Sequence, residues 1–141
     1  MGFRLKVAGA EEIALSEKQI MTVDYAIMTP QDSNARSTDL GAEMKIQGKI
    51  IPSIGSAEAE SSIGLHKWSL VPAENMDCYR SVNLDVVSAG TIVRRINMPK
   101  AFVVEYTEDF SDKSGNGAFY LHIRQKKDKI KDVTIEGGFG E

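Results

Sequence analysis

The side chains that most often carry out chemistry are scarce in this chain, which has two histidines and one cysteine among 141 residues. His66 and His122 lie far apart, and neither belongs to the His-x-His or His-Glu-x-x-His spacing of a metal site. His122 alternates with Leu121 and Ile123, so the pattern places it on the polar face of a strand. Both histidines are therefore interpreted as structural residues.

Cys78 is a candidate nucleophile, because the nearby cation of Arg80 could favour its thiolate. A small, partly buried residue near the start of a strand is the simpler interpretation. The sequence contains no Gly-x-Ser-x-Gly nucleophile elbow. Since a lone cysteine cannot form an intramolecular disulfide, we expect synthesis in a reducing compartment.

A carboxylate cluster, formed by Glu105, Glu108 and Asp109, could hold a metal ion or act as an acid and base. Two of these residues lie at the end of a predicted strand, where a solvated rim explains them equally well. No Asp-x-Asp-x-Asp-Gly calcium loop is present, and too few His and Cys residues exist for a zinc cluster. We therefore expect no metal and no cofactor.

One basic run stands out near the end of the sequence and is interpreted as a charged hairpin. It can bind an acidic surface on a neighbour or on cargo, or simply protect a strand edge from aggregation. Its members are Arg124, Lys126, Lys127, Lys129 and Lys131.

Composition narrows the class of protein further. Lys plus Arg is 17 and Asp plus Glu is 20, so the net charge is -3, which argues against a broad nucleic-acid-binding surface. No apolar run is long enough for a membrane span, and residues 1–7 alternate instead of forming a signal peptide. We expect a single domain over 1–141, synthesised and assembled in the cytoplasm.

The elements that must position these side chains are mostly strands, because the dominant hydrophobic period is two. Residues 41–50 place Ala42, Met44, Ile46 and Ile50 on one face. Similar alternation predicts strands over 20–28, with Met21, Val23, Tyr25 and Ile27 on one face, and over 81–87 and 91–98, which form a hairpin around 88–90.

Later segments depart from simple alternation. Residues 100–107 are apolar on both faces, which predicts a central strand buried on two sides. Residues 118–125 and 129–136 are predicted to form a second hairpin. Residues 56–68 predict one short helix, with Ser56 as its N-cap.

These elements predict a mainly β protein: a small β-barrel of about seven to eight strands with one short flanking α-helix. A sandwich remains the alternative. The barrel is favoured because closure removes edges from a sheet with many half-polar strands.

Two stretches of the sequence resemble a known family. A strand leads through a polar Asp/Asn-x-Arg loop into a second alternating strand; later, a helix ending near Trp68 precedes a hairpin and the long segment 92–110. The order of elements over roughly 20–136 resembles the haemolysin-coregulated protein (Hcp, TssD), the tube protein of type VI secretion systems. The tubes of phage tails and other contractile injection systems fit nearly as well.

The resemblance implies a subunit that forms hexameric rings, which stack into a tube propelled by a contracting sheath. It also implies sheath, spike and baseplate partners, effector cargo in the lumen, export through the apparatus and no enzymatic activity. We interpret the long, polar loop 29–39 as the ring-stacking contact. Its candidate residues are Gln31, Asp32, Ser33, Asn34 and Arg36.

Two other functions remain open from the sequence. A monomeric binding or effector-accessory module of the same fold would expose a groove and form no ring. A small hydrolase would use Cys78 or the carboxylates of 105–109.

Overall fold

The computed structural model describes residues 1–29, 40–51, 57–112 and 117–137. Eight strands form one antiparallel sheet in the order β2-β1-β5-β6-β7-β4-β3, with β8 paired to β6. The strands are β1 (Gly2–Ala8), β2 (Ile13–Leu15), β3 (Ile20–Met28), β4 (Gly41–Ile50), β5 (Arg80–Ser88), β6 (Thr91–Phe110), β7 (Gly117–Gln125) and β8 (Thr134–Gly137). Helix α1 (Ala57–Ser69) follows β4, and short 3₁₀ segments span Met76–Cys78 and Lys127–Asp132.

The sheet must be strongly curved, because its two edge strands are consecutive in sequence. β2 ends at Leu15 and β3 begins at Ile20, and so short a connection reaches about 17 Å at most. Seven flat strands would span roughly 29 Å. β2 and β3 are not hydrogen-bonded to each other, so the sheet is not closed. The mainly β class with a short helix is confirmed, and the expected barrel is an open, curled sheet.

The core lies on the concave face, where side chains of seven strands meet α1. Leu65 and Trp68 bring the helix onto this face. The buried apolar residues of the strands are Leu5, Val7, Ile13, Leu15, Ile20, Ala42, Met44, Ile46, Val82, Leu84, Val87, Ile96, Met98, Ala101, Phe119, Leu121 and Ile123.

The β5–β6 hairpin is confirmed and has a two-residue turn. Ala89 and Gly90 both adopt positive φ, at 51° and 77°, as a type I′ turn requires. Ser88 pairs with Thr91 directly across this turn.

Strand β6 is continuous over 20 residues, although the pattern predicts two strands there. Its register against β5 shifts between the pairs Val82–Met98 and Arg80–Ala101, so Pro99 and Lys100 lie in an irregularity. A proline is tolerated at such a place because its missing N–H is not needed by the ladder.

A second bulge lies at Val104, where the register against β7 shifts between Val103 and Glu105. A bulge adds one residue to a strand, so the alternate positions that face inward before it face outward after it. Residues 101–104 therefore form a continuous apolar run in the sequence although they lie in one strand with a bulge. Val104 is 43% exposed, and Phe102 is only half-buried. The prediction that this strand is buried on both faces is therefore wrong.

The predicted second hairpin is also wrong. β8 pairs with β6 over Arg94–Asn97, and residues 127–132 form a 3₁₀ segment. The reason is that β7 is already hydrogen-bonded to β4 on one side and to β6 on the other. The Gln125 side chain donates to the carbonyl of Lys129 at 2.8 Å, which helps to hold the turn.

Candidate interaction surfaces

The convex face of the sheet carries polar side chains in rows, because residues opposite each other on paired strands share a face. One row runs across four strands through Asp24, Lys45, His122 and Glu105, so an acidic residue lies at each end of two basic ones. The next row contains Glu43, Arg124 and Phe102.

A buried hydrogen-bonded pair, Glu43 and His122, joins these two rows. Glu43 is 7% exposed and His122 is 8% exposed, and His122 Nε2 lies 2.8 Å from Glu43 Oε2. Arg124 Nε lies 3.4 Å from the same oxygen, and Lys45 Nζ lies 3.9 Å from Glu43 Oε1. The sequence places His122 correctly on the polar face, but the long neighbouring side chains of both rows bury it.

Burial acts to raise the pKa of Glu43, since it penalises the charged carboxylate. The hydrogen bond and charge of His122, with the charge of Lys45 and the hydrogen bond of Arg124, outweigh burial and hold the pKa below its ordinary range. Glu43 is therefore an ionised, buried carboxylate at neutral pH.

A carboxyl whose folded-state pKa is lowered stabilises the fold above its unfolded pKa, about 4.3. That contribution is lost as the pH falls through the lower folded value. We expect Glu43→Gln to reduce the free energy of unfolding by about 1–2 kcal/mol at pH 7, with the difference from the native chain shrinking below about pH 4.3. Urea denaturation at several pH values measures this difference. Glu74→Gln, at an exposed glutamate, is the control and should leave stability unchanged; a pH-independent difference for Glu43→Gln would contradict the assignment.

A groove of about 380 Å³ opens beside Glu43, at the end of the convex face. Met28, Leu40 and Phe102 supply apolar walls, while Glu43 and Arg124 contribute charge. Thr29, Gly41, Ala42, Gln125 and Lys127 complete the lining.

The predicted basic residues do not form a hairpin tip. Arg124 is at the end of β7 beside Glu43, and Lys126 lies 3.8 Å from Asp128 with its ammonium 5.1 Å from the centre of the Tyr79 ring. The remaining three, Lys127, Lys129 and Lys131, lie on the 3₁₀ segment and are exposed. They therefore present a basic surface on the turn that follows β7.

The candidate nucleophile is buried and engaged in packing. Cys78 Sγ lies 3.7 Å from the carbonyl oxygen of Ala73. The guanidinium of Arg80 is bound by Asp77 and lies 5.6 Å from the centre of the Trp68 ring. These contacts favour the structural interpretation of Cys78.

The carboxylate cluster is divided between two faces of β6. Glu105 and Asp109 pair across from His122 and Ala118, whereas Glu108 lies opposite Phe119 on the alternate face. Among the described residues, no group of three His, Cys, Asp or Glu side chains is placed to hold a metal ion.

Tyr106 lies between Glu105 and Glu108 in the sequence of β6. Burial, and then the hydrogen bond to Glu108 at 2.9 Å, raise the pKa of the Tyr106 phenol. The ring centre of His66 lies 6.2 Å from that of Tyr106, and His66 is exposed on α1.

Among the described strands, the short β2 and β8 have a hydrogen-bonded neighbour on one side only, and two longer edges are also open to pairing with another chain. β3 pairs only with β4, and residues 103–110 of β6 pair only with β7. Exposed apolar side chains accompany both edges: Met21, Ile27 and Met28 on β3, which we call the β3 edge surface, and Val104 and Phe110 on β6.

Met21 and Ile27 are both exposed, unlike Val23 and Tyr25, with which the alternation groups them on one face. The register against β4 shifts between Ile20 and Thr22, so Met21 lies in an irregularity. Ile27 lies near the end of the strand and is half-exposed, whereas Val23 and Tyr25 pack against the core. The proposed ring-stacking residues Gln31, Asp32, Ser33, Asn34 and Arg36 lie outside the described residues.

No described helix combines the length and apolar character needed to cross a membrane.

No protein-family model and no curated protein matches the sequence. Solved structures do match. Hcp1 from Flavobacterium johnsoniae is similar with a TM-score of 0.59 and 19% identity, covering 98% of this chain and 97% of that chain.

Two further structures extend the comparison. The Hcp1 protein from the E. coli EAEC 042 pathovar is similar with a TM-score of 0.61 and 11% identity over 97% of this chain and 99% of that one. A chain of the 6-fold symmetrised baseplate of the anti-feeding prophage is similar with a TM-score of 0.56 and 10% identity, over 96% of this chain and 93% of that one. This chain therefore has an Hcp-like tube-protein fold, shared with contractile injection systems.

Proposed function

We propose that this protein is a structural subunit of the inner tube of a contractile secretion or injection apparatus. The observation that carries the proposal is the match of nearly the whole chain to Hcp1 structures, at 98% and 97% coverage. The described residues add two unpaired strand edges, each with exposed apolar side chains. Such edges are suited to pairing with another chain.

The two edges are different surfaces, which supports ring formation. When β3 of one copy contacts residues 103–110 of β6 in the next, the contact is heterologous, and a heterologous contact closes into a ring if its rotation permits. We propose a six-membered ring, in line with the 6-fold symmetry named for the prophage baseplate.

The finer parts of the function rest on the resemblance. Rings stack through the loop that contains Gln31, Asp32, Ser33, Asn34 and Arg36; sheath, spike and baseplate proteins are the partners. Effectors travel in the lumen, and the tube is exported with them. The subunit acts through its surfaces and performs no catalysis.

Negative-stain microscopy and native mass spectrometry of the purified protein test the proposal directly. We expect rings of six copies and, at higher concentration, stacks of rings. A strictly monomeric protein at all concentrations would refute the proposal and favour a monomeric binding module.

A substitution on the β3 edge surface tests which edge forms the ring. We expect the double variant Met21→Asp/Ile27→Asp to remain folded but to elute as monomer, because carboxylates would be buried at the contact. Met76→Asp changes an exposed methionine on a 3₁₀ segment away from the edge and should leave rings intact. Light scattering reports mass, and circular dichroism reports folding. Rings that persist in the double variant would place the contact elsewhere.

A further inference from the structure

The groove beside Glu43 combines features of a built binding site. Its volume of about 380 Å³ is in the range of small-molecule and side-chain pockets, roughly 300–1,000 Å³. Met28, Leu40 and Phe102 provide an apolar interior. The charged lining residues are Glu43, which already contacts Arg124, and Lys127, so two cations face one carboxylate and the net charge is positive. An occupant should therefore offer one large apolar side chain next to a carboxylate.

Thr29 and Leu40, the described residues on either side of the segment 30–39, both line this groove. Its sequence is Pro-Gln-Asp-Ser-Asn-Ala-Arg-Ser-Thr-Asp, which has no aromatic and no long aliphatic side chain. This segment does not supply the apolar group that the walls favour.

The last four residues, Gly138-Phe139-Gly140-Glu141, have the required composition. Phe139 is an aromatic residue between glycines, whose small size lets the backbone approach a surface closely. Glu141 follows two residues later, within reach of a neighbouring basic side chain. The order aromatic and then acidic complements a groove whose apolar wall, Phe102, lies beside Arg124.

The direction of β8 shows that this tail cannot reach the groove of its own subunit. β8 runs antiparallel to β6, from Thr134 opposite Asn97 to Gly137 opposite Arg94. β8 therefore leads away from Phe102. At the rise of a strand, Phe102 lies roughly 25 Å along β6 from Arg94, the partner of Gly137. Phe139 is only two residues beyond Gly137, a reach of about 7 Å.

We propose that the tail of one copy docks into the groove of another, with Phe139 between Met28, Leu40 and Phe102 and the carboxylate of Glu141 at Arg124 and Lys127. The tail leaves the sheet beside Arg94, near the start of β6, whereas the groove lies beside Phe102, in the middle of that strand, so the contact joins different surfaces of two copies and is heterologous. This inference deepens the proposed tube function and rests on the self-assembly proposed above.

Directed cross-linking of full-length chains tests the contact. Cys78→Ser is introduced into every chain so that only the added cysteines react. A Met28→Cys chain is mixed with a Phe139→Cys chain under mild oxidation, and the mixed disulfide dimer is identified by mass spectrometry. The matched control replaces Met28→Cys with Met76→Cys, at an exposed methionine outside the groove. We expect at least about tenfold more mixed dimer with Met28→Cys.

A charge exchange tests the acidic end of the tail. Lys127→Glu in the Met28→Cys chain should lower the yield of mixed dimer, and Glu141→Lys in the Phe139→Cys chain should restore it. A yield that responds to neither change would overturn the assignment of Glu141.

The outcomes separate this inference from the proposed function. Rings seen by microscopy without preferential cross-linking overturn tail docking and leave the tube proposal standing. An intrachain disulfide in a single Met28→Cys/Phe139→Cys chain overturns the contact between copies. Cross-linking in a protein that never forms rings supports tail docking but refutes the ring.

Discussion

Trp68→Ala is expected to lower the free energy of unfolding by about 3–5 kcal/mol, the usual cost of deleting a large buried aromatic. Trp68 is 1% exposed and belongs to the core cluster that joins α1 to the sheet. Its indole Nε1 donates a hydrogen bond to the carbonyl of Cys78 at 2.9 Å. The substitution leaves a cavity and an unsatisfied carbonyl together.

The same indole also supports a buried charge. Arg80 lies over the Trp68 ring and is held by Asp77, whose other carboxylate oxygen accepts from the backbone N–H of Ala10 at 2.8 Å. The side-chain hydrogen bond from Arg80, then the backbone bond from Ala10, hold the pKa of Asp77 below its ordinary range. Removing the ring exposes one face of this guanidinium to a cavity, which adds to the loss.

Thermal and chemical denaturation measure the effect. We expect a Tm lower by roughly 10–20 °C for Trp68→Ala. Trp68→Phe keeps most of the apolar area and should cost less, because it loses mainly the hydrogen bond. Leu70→Ala, at an exposed side chain just beyond α1, is the control. If the free energy of unfolding of Trp68→Ala lies within about 1 kcal/mol of the native value, which is about the contribution of one hydrogen bond, Trp68 does not anchor α1.

Gly48→Ala is the second large effect that we expect, at about 2–3 kcal/mol or more, because of overpacking. A Cβ at Gly48 would overlap the carbonyl oxygen of Gln19 and the ring of Phe119. That carbonyl accepts the backbone hydrogen bond of Lys49 at 2.6 Å. The added methyl must therefore displace the connection that brings β2 and β3, the two edges of the sheet, close together.

Gly41→Ala is the matched control on the same strand. Its Cβ would meet only the carbonyl oxygen of Met28, at 3.9 Å, so we expect stability to stay equal or to rise slightly. Urea denaturation of the two variants gives the comparison. Equal stabilities would show that the close approach at Gly48 does not constrain the curl of the sheet. If the curl orients the β3 edge, Gly48→Ala should also weaken ring formation, whereas Gly41→Ala should not.

Local pattern predicted the strands whose neighbours leave their alternation intact. β4 was predicted over 41–50 and spans Gly41–Ile50, with Ala42, Met44 and Ile46 buried as expected. The helix predicted at 56–68 is α1, Ala57–Ser69. These elements can be predicted from the sequence because a period of two, or a run of helix-forming residues, depends on short-range geometry alone.

Pattern failed where a bulge or a distant partner decided the outcome. The apolar run 101–104 predicts burial on both faces, whereas the structure has a bulge at Val104 that accounts for it. The residues after 126 looked like a hairpin partner, but β7 had no free edge to offer. No signal in a single sequence marks either event, since both depend on the strand that lies alongside.

The sequence by itself determined that this is a mainly β chain with a helix after β4 and few residues suited to catalysis. It also determined an order of elements that resembles a tube protein. Only the tertiary structure decided that His122 and Glu43 form a buried pair, that the carboxylates of β6 are divided between two faces, and that β3 and residues 103–110 have unpaired edges. The physical reason is that composition and periodicity are properties of neighbouring residues. Burial, ion pairing and open edges depend on which distant strands the curled sheet brings together.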